Sequence, residues 1–280
     1  MNVSNLQGKT ALVTGAGSGI GRATALALAR RGAKLALCDV NEGGLAETET
    51  KAREHGCEVL AQRVDVSKRE EMHAFSDAVH RWVEAVDLLM NNAGVGLGAK
   101  FLDSTLEDWN WIIGVNLMGV IHGCHFFLPA MVRRGAGGHL VNVSSAAGFF
   151  ASPQLAAYCT TKFGVLGLTE ALREELAPHR IGVTAVCPGL INTPIIRSSV
   201  LRGAEATPEA RERIVRVYER RNYGPERVAE NILRAVQRNR TVAPITPEAW
   251  AMYFIKRLSP KLAWFIARRV GEQAERSARG

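Results

Sequence analysis

Between residues 9 and 187 the chain repeats one pattern: a short apolar run rich in β-branched residues, then a stretch with helical periodicity. The runs are "KTALVTG", "KLALCDV", "EVLAQRVDV", "VDLLMNNAG", "GHLVNVSS" and "IGVTAVCPG", with helices expected near 20–31, 43–55, 68–84, 105–133 and 155–177. Strands that are apolar on both faces and separated by helices belong to a parallel sheet covered on each side, and right-handed crossovers wind it in both directions. The expected fold class is therefore α/β, a doubly wound parallel sheet of about seven strands, the last supplied by "TVAPI". Ligands of such sheets bind beyond the carboxyl ends of the strands, and every motif below falls at such an end.

A single domain is expected over residues 1–246, with a basic amphipathic extension over 247–280. Within it, the arginine-rich segment 190–224 is too long and irregular for a plain connection and reads as a lid over the substrate. A hydrophobic fraction of 47% and a charged fraction of 22% exclude a disordered or fibrous chain. The opening "MNVSNLQGK" lacks the features of a signal peptide, and no eighteen apolar residues run together, so a cytoplasmic location is expected. Five scattered cysteines with no C-x-x-C pair suggest neither disulfides nor a metal site. The net charge of +8 is local: residues 1–196 hold 17 Lys and Arg against 18 Asp and Glu, and residues 197–280 hold 18 against 9.

"TGAGSGIG" (14–21) follows the first strand and opens the first helix, where glycines let the backbone approach a pyrophosphate held by the helix N-terminal N–H groups. A strict G-x-G-x-x-G fails at Ile20; the spacing that holds is Gly15, Gly19, Gly21, with Ser18 and Ile20 completing the turn. Asp39 ends the second strand about 20 residues on, where a carboxylate can bind both adenosine ribose hydroxyls. A 2′-phosphate there would meet negative charge, and neither Ser18 nor the residues after Asp39 supply a cation. NAD is expected over NADP, the alternative being an aspartate that only caps a loop.

With "TGAGSGIG", "NNAG" (91–94), Ser144 and Ser145, and "YCTTK" (158–162) in hand, the chain resembles the short-chain dehydrogenase/reductase family over residues 8 to about 245. The resemblance implies a Rossmann-like fold and an NAD(P)-dependent oxidoreductase with Tyr158 as general acid/base. It also implies Lys162 lowering the tyrosine's pKa and orienting the nicotinamide ribose, Ser145 on the substrate oxygen, and Asn116 in a proton relay. By the same resemblance Asn92 and Gly94 line the adenosine side, Asp65 and Val66 meet the adenine, and Ile191 and Thr193 meet the carboxamide. Asp65 as a helix cap competes with that reading.

The chemistry asked of Tyr158 has a physical scale. Bringing a phenol from a pKa near ~10 to ~7 takes about 4 kcal/mol. An ammonium about 4 Å away contributes roughly that at an effective dielectric of ~20, and four residues along a helix is the spacing that keeps it close. Ser145 would donate to the oxygen that gains charge, while Ser144 points the other way. Asn116, in the apolar "IIGVNLMGV", is either a satisfied core amide or the relay residue.

Val95, Leu97, Phe149, Phe150, Leu155, Ile195 and Ile196 are expected to wall a pocket for a hydrophobic secondary alcohol or its ketone. The rival functions are an NADP-linked carbonyl or 3-oxoacyl-thioester reductase, and a non-catalytic cofactor-sensing protein. Nucleic-acid binding is not expected, because the tail's aromatic and basic residues follow helical spacing. Residues 247–270 read as two helices broken at Ser259–Pro260, with an apolar face of Trp250, Tyr253, Phe254, Leu258, Leu262, Phe265 and Ile266. That face is expected to pack over the pocket or a second subunit, with peripheral membrane contact as the alternative. The family resemblance implies a homo-oligomer, a tetramer or dimer.

Overall fold

In the computed structural model, residues 1–203 and 206–279 are described, with side chains described as far as residue 269. In chain order the elements begin with β1 (Thr10–Thr14), α1 (Gly19–Ala29), β2 (Lys34–Asp39), α2 (Glu42–Arg53), β3 (Val59–Arg63), α3 (Arg69–Trp82) and β4 (Leu88–Asn91). There follow β5 (Leu97–Gly98), α4 (Leu106–Ile113), α5 (Gly119–Arg134), β6 (Gly138–Val143), α6 (Ala156–Leu176) and β7 (Ile181–Cys187). The remainder comprises α7 (Ile195–Ser198), β8 (Val200–Leu201), α8 (Pro208–Arg221), α9 (Pro225–Gln237), β9 (Val242–Pro244), α10 (Pro247–Leu258) and α11 (Pro260–Arg279).

Seven strands form one parallel sheet in the order β3-β2-β1-β4-β6-β7-β9, the doubly wound Rossmann-like arrangement. Alternation along each strand explains the continuous apolar runs. Ala11 and Val13 of β1 pack into the layer with Leu28 of α1 and Ile232 of α9, while Leu12 packs into the layer with Phe75 of α3 and Phe127 of α5. Burying both faces makes the sheet a rigid base for the loops at its carboxyl edge.

The helix expected over 105–133 is interrupted. α4 begins with a Thr105–Asp108 capping box, and Gly114–Met118 then forms a π-helical turn before α5 resumes. The extra residue per turn swings Asn116 inward, where it is fully buried. The run Leu106–Arg134 is long and apolar enough to cross a membrane by length and composition, and half of that apolar window is buried within the protein. The tail has the expected break, with Ser259 Oγ accepting the Leu262 N–H at 3.3 Å. Its first helix is no appendage: Ala249 is buried in one cluster with Ala146, Phe149, Ala185 and Cys187.

Candidate active site

The loops leaving β1, β2, β4, β6 and β7 meet at the carboxyl edge. Gly15 has φ +67°, and a Cβ there would lie 2.7 Å from the Ala93 Cα; at Gly21 a Cβ would run into the Gly15 carbonyl oxygen. The turn is pressed against the loop after β4 and stitched to it. Asn92 Nδ2 donates to the carbonyls of Thr14 (2.9 Å) and Gly15 (3.1 Å), and Thr14 Oγ1 accepts from the amides of Asn92 and Ala93, both at 3.0 Å. Asn92 therefore holds the loop's shape as well as lining the cavity.

Ser18, the N-cap of α1, makes no side-chain cap bond, and the first turn carries no acidic residue. The positive end of the helix is thus uncompensated by its own side chains, as an anion-binding turn requires. Asp39 is fixed beside it, accepting the N–H of Gly17 at 2.7 Å and of Asn41 at 2.9 Å. Gly17, which the glycine spacing passed over, is a working part of the turn; it could have been found only by knowing that β2 ends next to β1. Arg22 also comes near, but its guanidinium is held by the Gly17 carbonyl (2.6 Å), Thr48 Oγ1 (3.1 Å) and Glu47 (2.8 Å). Asp65 accepts both the N–H and Oγ–H of Ser67, at 2.9 and 2.7 Å, so it braces the turn before α3 while still lining the cavity. A nicotinamide dinucleotide fits this donor set: bare backbone at a helix N-terminus, then a fixed carboxylate where a ribose would lie.

Tyr158 and Lys162 project from the first turns of α6. Lys162 is buried, its Nζ 5.6 Å from the Tyr158 ring centroid and donating to the Val143 carbonyl at 3.0 Å. Ser144 Oγ donates to the Lys162 carbonyl at 2.8 Å, the structural role expected of it. Ser145 Oγ accepts the Ala147 N–H at 3.1 Å and lies near the Tyr158 phenol. Asn116 sits behind this group. Its Oδ1 accepts the Val95 N–H at 2.8 Å and its Nδ2 donates to the Val95 carbonyl at 2.9 Å, so the amide is committed to pinning the loop after β4. A Cβ on Gly94 would lie 3.2 Å from Asn116 Oδ1 and 3.6 Å from Lys162 Nζ, so both groups border the same glycine.

Burial sets the acidities of the pair. Removal from water pushes the Tyr158 phenol up to about 12, against the pull of the Ser145 hydroxyl, and pushes Lys162 down to about 8. Burial and the neighbouring ammonium act on the phenol in opposite directions. An ammonium at this separation contributes about 3 kcal/mol at an effective dielectric of ~20, and desolvation of a phenolate outweighs it.

One cavity of about 1020 Å³ joins these groups. It runs from Asp39, Asp65 and Val66 past Gly15, Ser18, Gly19, Ile20, Asn92 and Gly94 to Ser145, Tyr158 and Lys162, with Ile191 and Thr193 alongside. Of the residues expected at the site, Gly21 and Asn116 lie behind the wall. Its far end is apolar, with Val95, Leu97, Phe150, Leu155, Ile195 and Ile196 as expected. Phe149 is a correction: it is buried and meets Tyr253 edge-on at 5.4 Å, because α10 folds back over it. Trp111, Leu201, Ile214, Tyr218, Met252 and Ile266 complete the wall; Ile266 belongs to the apolar tail face and Leu201, Ile214 and Tyr218 to the segment 190–224, while no local pattern marked Trp111 or Met252.

The segment over the mouth is tied down. Arg202 donates Nε and Nη2 to the two Asp108 oxygens at 2.9 and 2.7 Å, holding that carboxyl below the usual range. Arg221 pairs with Glu248 at 3.0 Å, and Glu248 accepts the Leu190 N–H at 3.1 Å.

Residues 9–202 match the family model described as short chain dehydrogenase. The chain is 38% identical over 260 residues to the probable oxidoreductase EphD of Mycobacterium tuberculosis, covering 91% of this chain and 44% of that protein, so it spans less than half of that relative. It is 38% identical over 209 residues to estradiol 17-beta-dehydrogenase 11 of Mus musculus, covering 73% of this chain and 70% of that one. Among solved structures, a short chain dehydrogenase/reductase from Burkholderia phymatum in complex with NAD superposes with a TM-score of 0.86 at 34% identity, covering 94% of this chain and 96% of that one. Fold, motif positions and relatives agree: the chain belongs to the short-chain dehydrogenase family of oxidoreductases.

Proposed function

We propose that the protein transfers a hydride between NAD and a hydrophobic secondary alcohol or its ketone. The observation that carries this reading is the continuity of one cavity, with a glycine turn and carboxylate at one end, Ser145, Tyr158 and Lys162 in the middle and an apolar wall beyond. NAD over NADP is supported by the Asp39 carboxylate fixed by two backbone amides beside the turn, and by Arg22 being engaged elsewhere. The NAD complex of the Burkholderia relative and the steroid named for the mouse relative point the same way.

A bound nicotinamide supplies or accepts the hydride and, when oxidised, brings a positive charge to the site. The chain's own residues handle the proton. Tyr158 takes it from the alcohol oxygen during oxidation and returns it during reduction. Ser145, one lone pair of its oxygen already used by the Ala147 N–H, keeps its own proton for the substrate oxygen as charge develops there. Lys162 holds a positive charge beside the phenol, and Asn116 keeps the Val95 loop from closing over it. Titration with NAD and with NADP by intrinsic fluorescence, followed by a screen of hydrophobic secondary alcohols monitored by reduced-nicotinamide absorbance, tests the reading. Tighter binding of NAD and turnover of such alcohols are expected; preference for NADP, or no turnover of any of them, contradicts it.

A further inference from the structure

α10 and α11 use one side to cover the protein and leave the other bare. Ala249 and Ala263 are buried, and Met252 and Ile266 face the cavity. On the other side Phe254 is 50% exposed, Leu258 81%, Leu262 46%, Trp264 68% and Phe265 55%. Five large apolar side chains within twelve residues are more than scattered surface residues, and such a patch marks an interaction surface.

The charge around it says what it meets. Lys256 Nζ lies 6.0 Å from the Trp264 ring centroid, the Arg269 guanidinium 5.1 Å from that of Phe265, and the Arg257 guanidinium 5.1 Å from that of Tyr253. Two of the three exposed rings, Trp264 and Phe265, are thus paired with a cation, an arrangement that suits the boundary between acyl chains and anionic headgroups. A second copy of this face would set like charges against one another, in a region where 18 Lys and Arg stand against 9 Asp and Glu over residues 197–280. We propose that this face docks on an anionic lipid bilayer, with Leu258, Leu262, Trp264 and Phe265 entering the headgroup layer and Lys256, Lys261 and Arg269 meeting lipid charge. Because Ile266 of the same helix lines the cavity, docking would set the cavity wall beside the bilayer. The proposal stands on these helices alone and not on the reaction assigned above.

Flotation of the full chain with vesicles of phosphatidylcholine, with and without phosphatidylglycerol, tests it. The chain is expected to float with the phosphatidylglycerol vesicles, less so as salt rises, with a blue shift of Trp264 emission absent from Trp264→Phe. The pair Leu258→Glu, Phe265→Glu should reduce vesicle binding by at least about tenfold while dinucleotide binding is kept. Should that pair disturb folding, the single Leu258→Ser, at a site that packs on little, should still weaken flotation. No flotation with either vesicle, or flotation unchanged in Leu258→Ser, would overturn the proposal. So would a parent chain that ignores vesicles but changes from dimer to monomer by light scattering when Leu258 is replaced.

Discussion

Up to Cys187 four polar side chains of the site are gripped by backbone: Asn92 by Thr14 and Gly15, Asp39 by Gly17 and Asn41, Lys162 by Val143, Asn116 by Val95. Beyond Pro188 the grip changes to side-chain pairs, Arg202 with Asp108 and Arg221 with Glu248. Those backbone partners end the strands or lie in the turns that leave them; side-chain pairs can open at little cost. The comparison teaches a division of labour, in which the sheet edge fixes the chemistry and the later helices govern what reaches it.

Substitutions should break the two regions differently. Tyr158→Phe, in the first, should reduce turnover by about a thousandfold with NAD binding unchanged, read by steady-state kinetics and fluorescence titration. Gly21→Ala should follow, costing about 1–3 kcal/mol in urea denaturation and weakening dinucleotide binding, since the new methyl meets the Gly15 carbonyl and backbone cannot swing aside. In the second region Arg202→Met should leave kcat in place and raise KM for a bulky substrate several-fold, because it frees the β5–β8 contact over the cavity mouth. Leu258→Glu, on the bare outer face, should change folding stability by less than about 0.5 kcal/mol. A large kinetic effect from Leu258→Glu on a water-soluble alcohol, or a small one from Tyr158→Phe, would erase the distinction.

The same division decided what could be read from sequence. The sheet was legible because runs such as "KLALCDV" are apolar on both faces, and the chemistry because Tyr158 and Lys162 are one turn apart on one helix. The π-helical turn in the long helix lay outside any local pattern, since Asn116 leaves the α-helical register to satisfy Val95, a partner 21 residues away. Phe149 was placed on the substrate wall because only the fold shows Tyr253 lying against it. Gly17 was missed because its partner Asp39 arrives from another strand. The burial of the phenol lay outside local pattern as well: spacing gives the distance to a cation, but burial is set by the whole molecule.

The pH dependence of kcat/KM for alcohol oxidation at saturating NAD, compared between the wild type and Lys162→Met, is the most direct test of the Tyr158–Lys162 pair. Activity should fall as pH drops through the ionisation of Tyr158, because the protonated phenol cannot accept the alcohol proton. In wild type that ionisation should lie well below the value of about 12 set by burial, and loss of the neighbouring ammonium should move it up by about 2 pH units. A profile that keeps its position without Lys162, whatever its height, would show that the lysine does not tune the proton-transfer group.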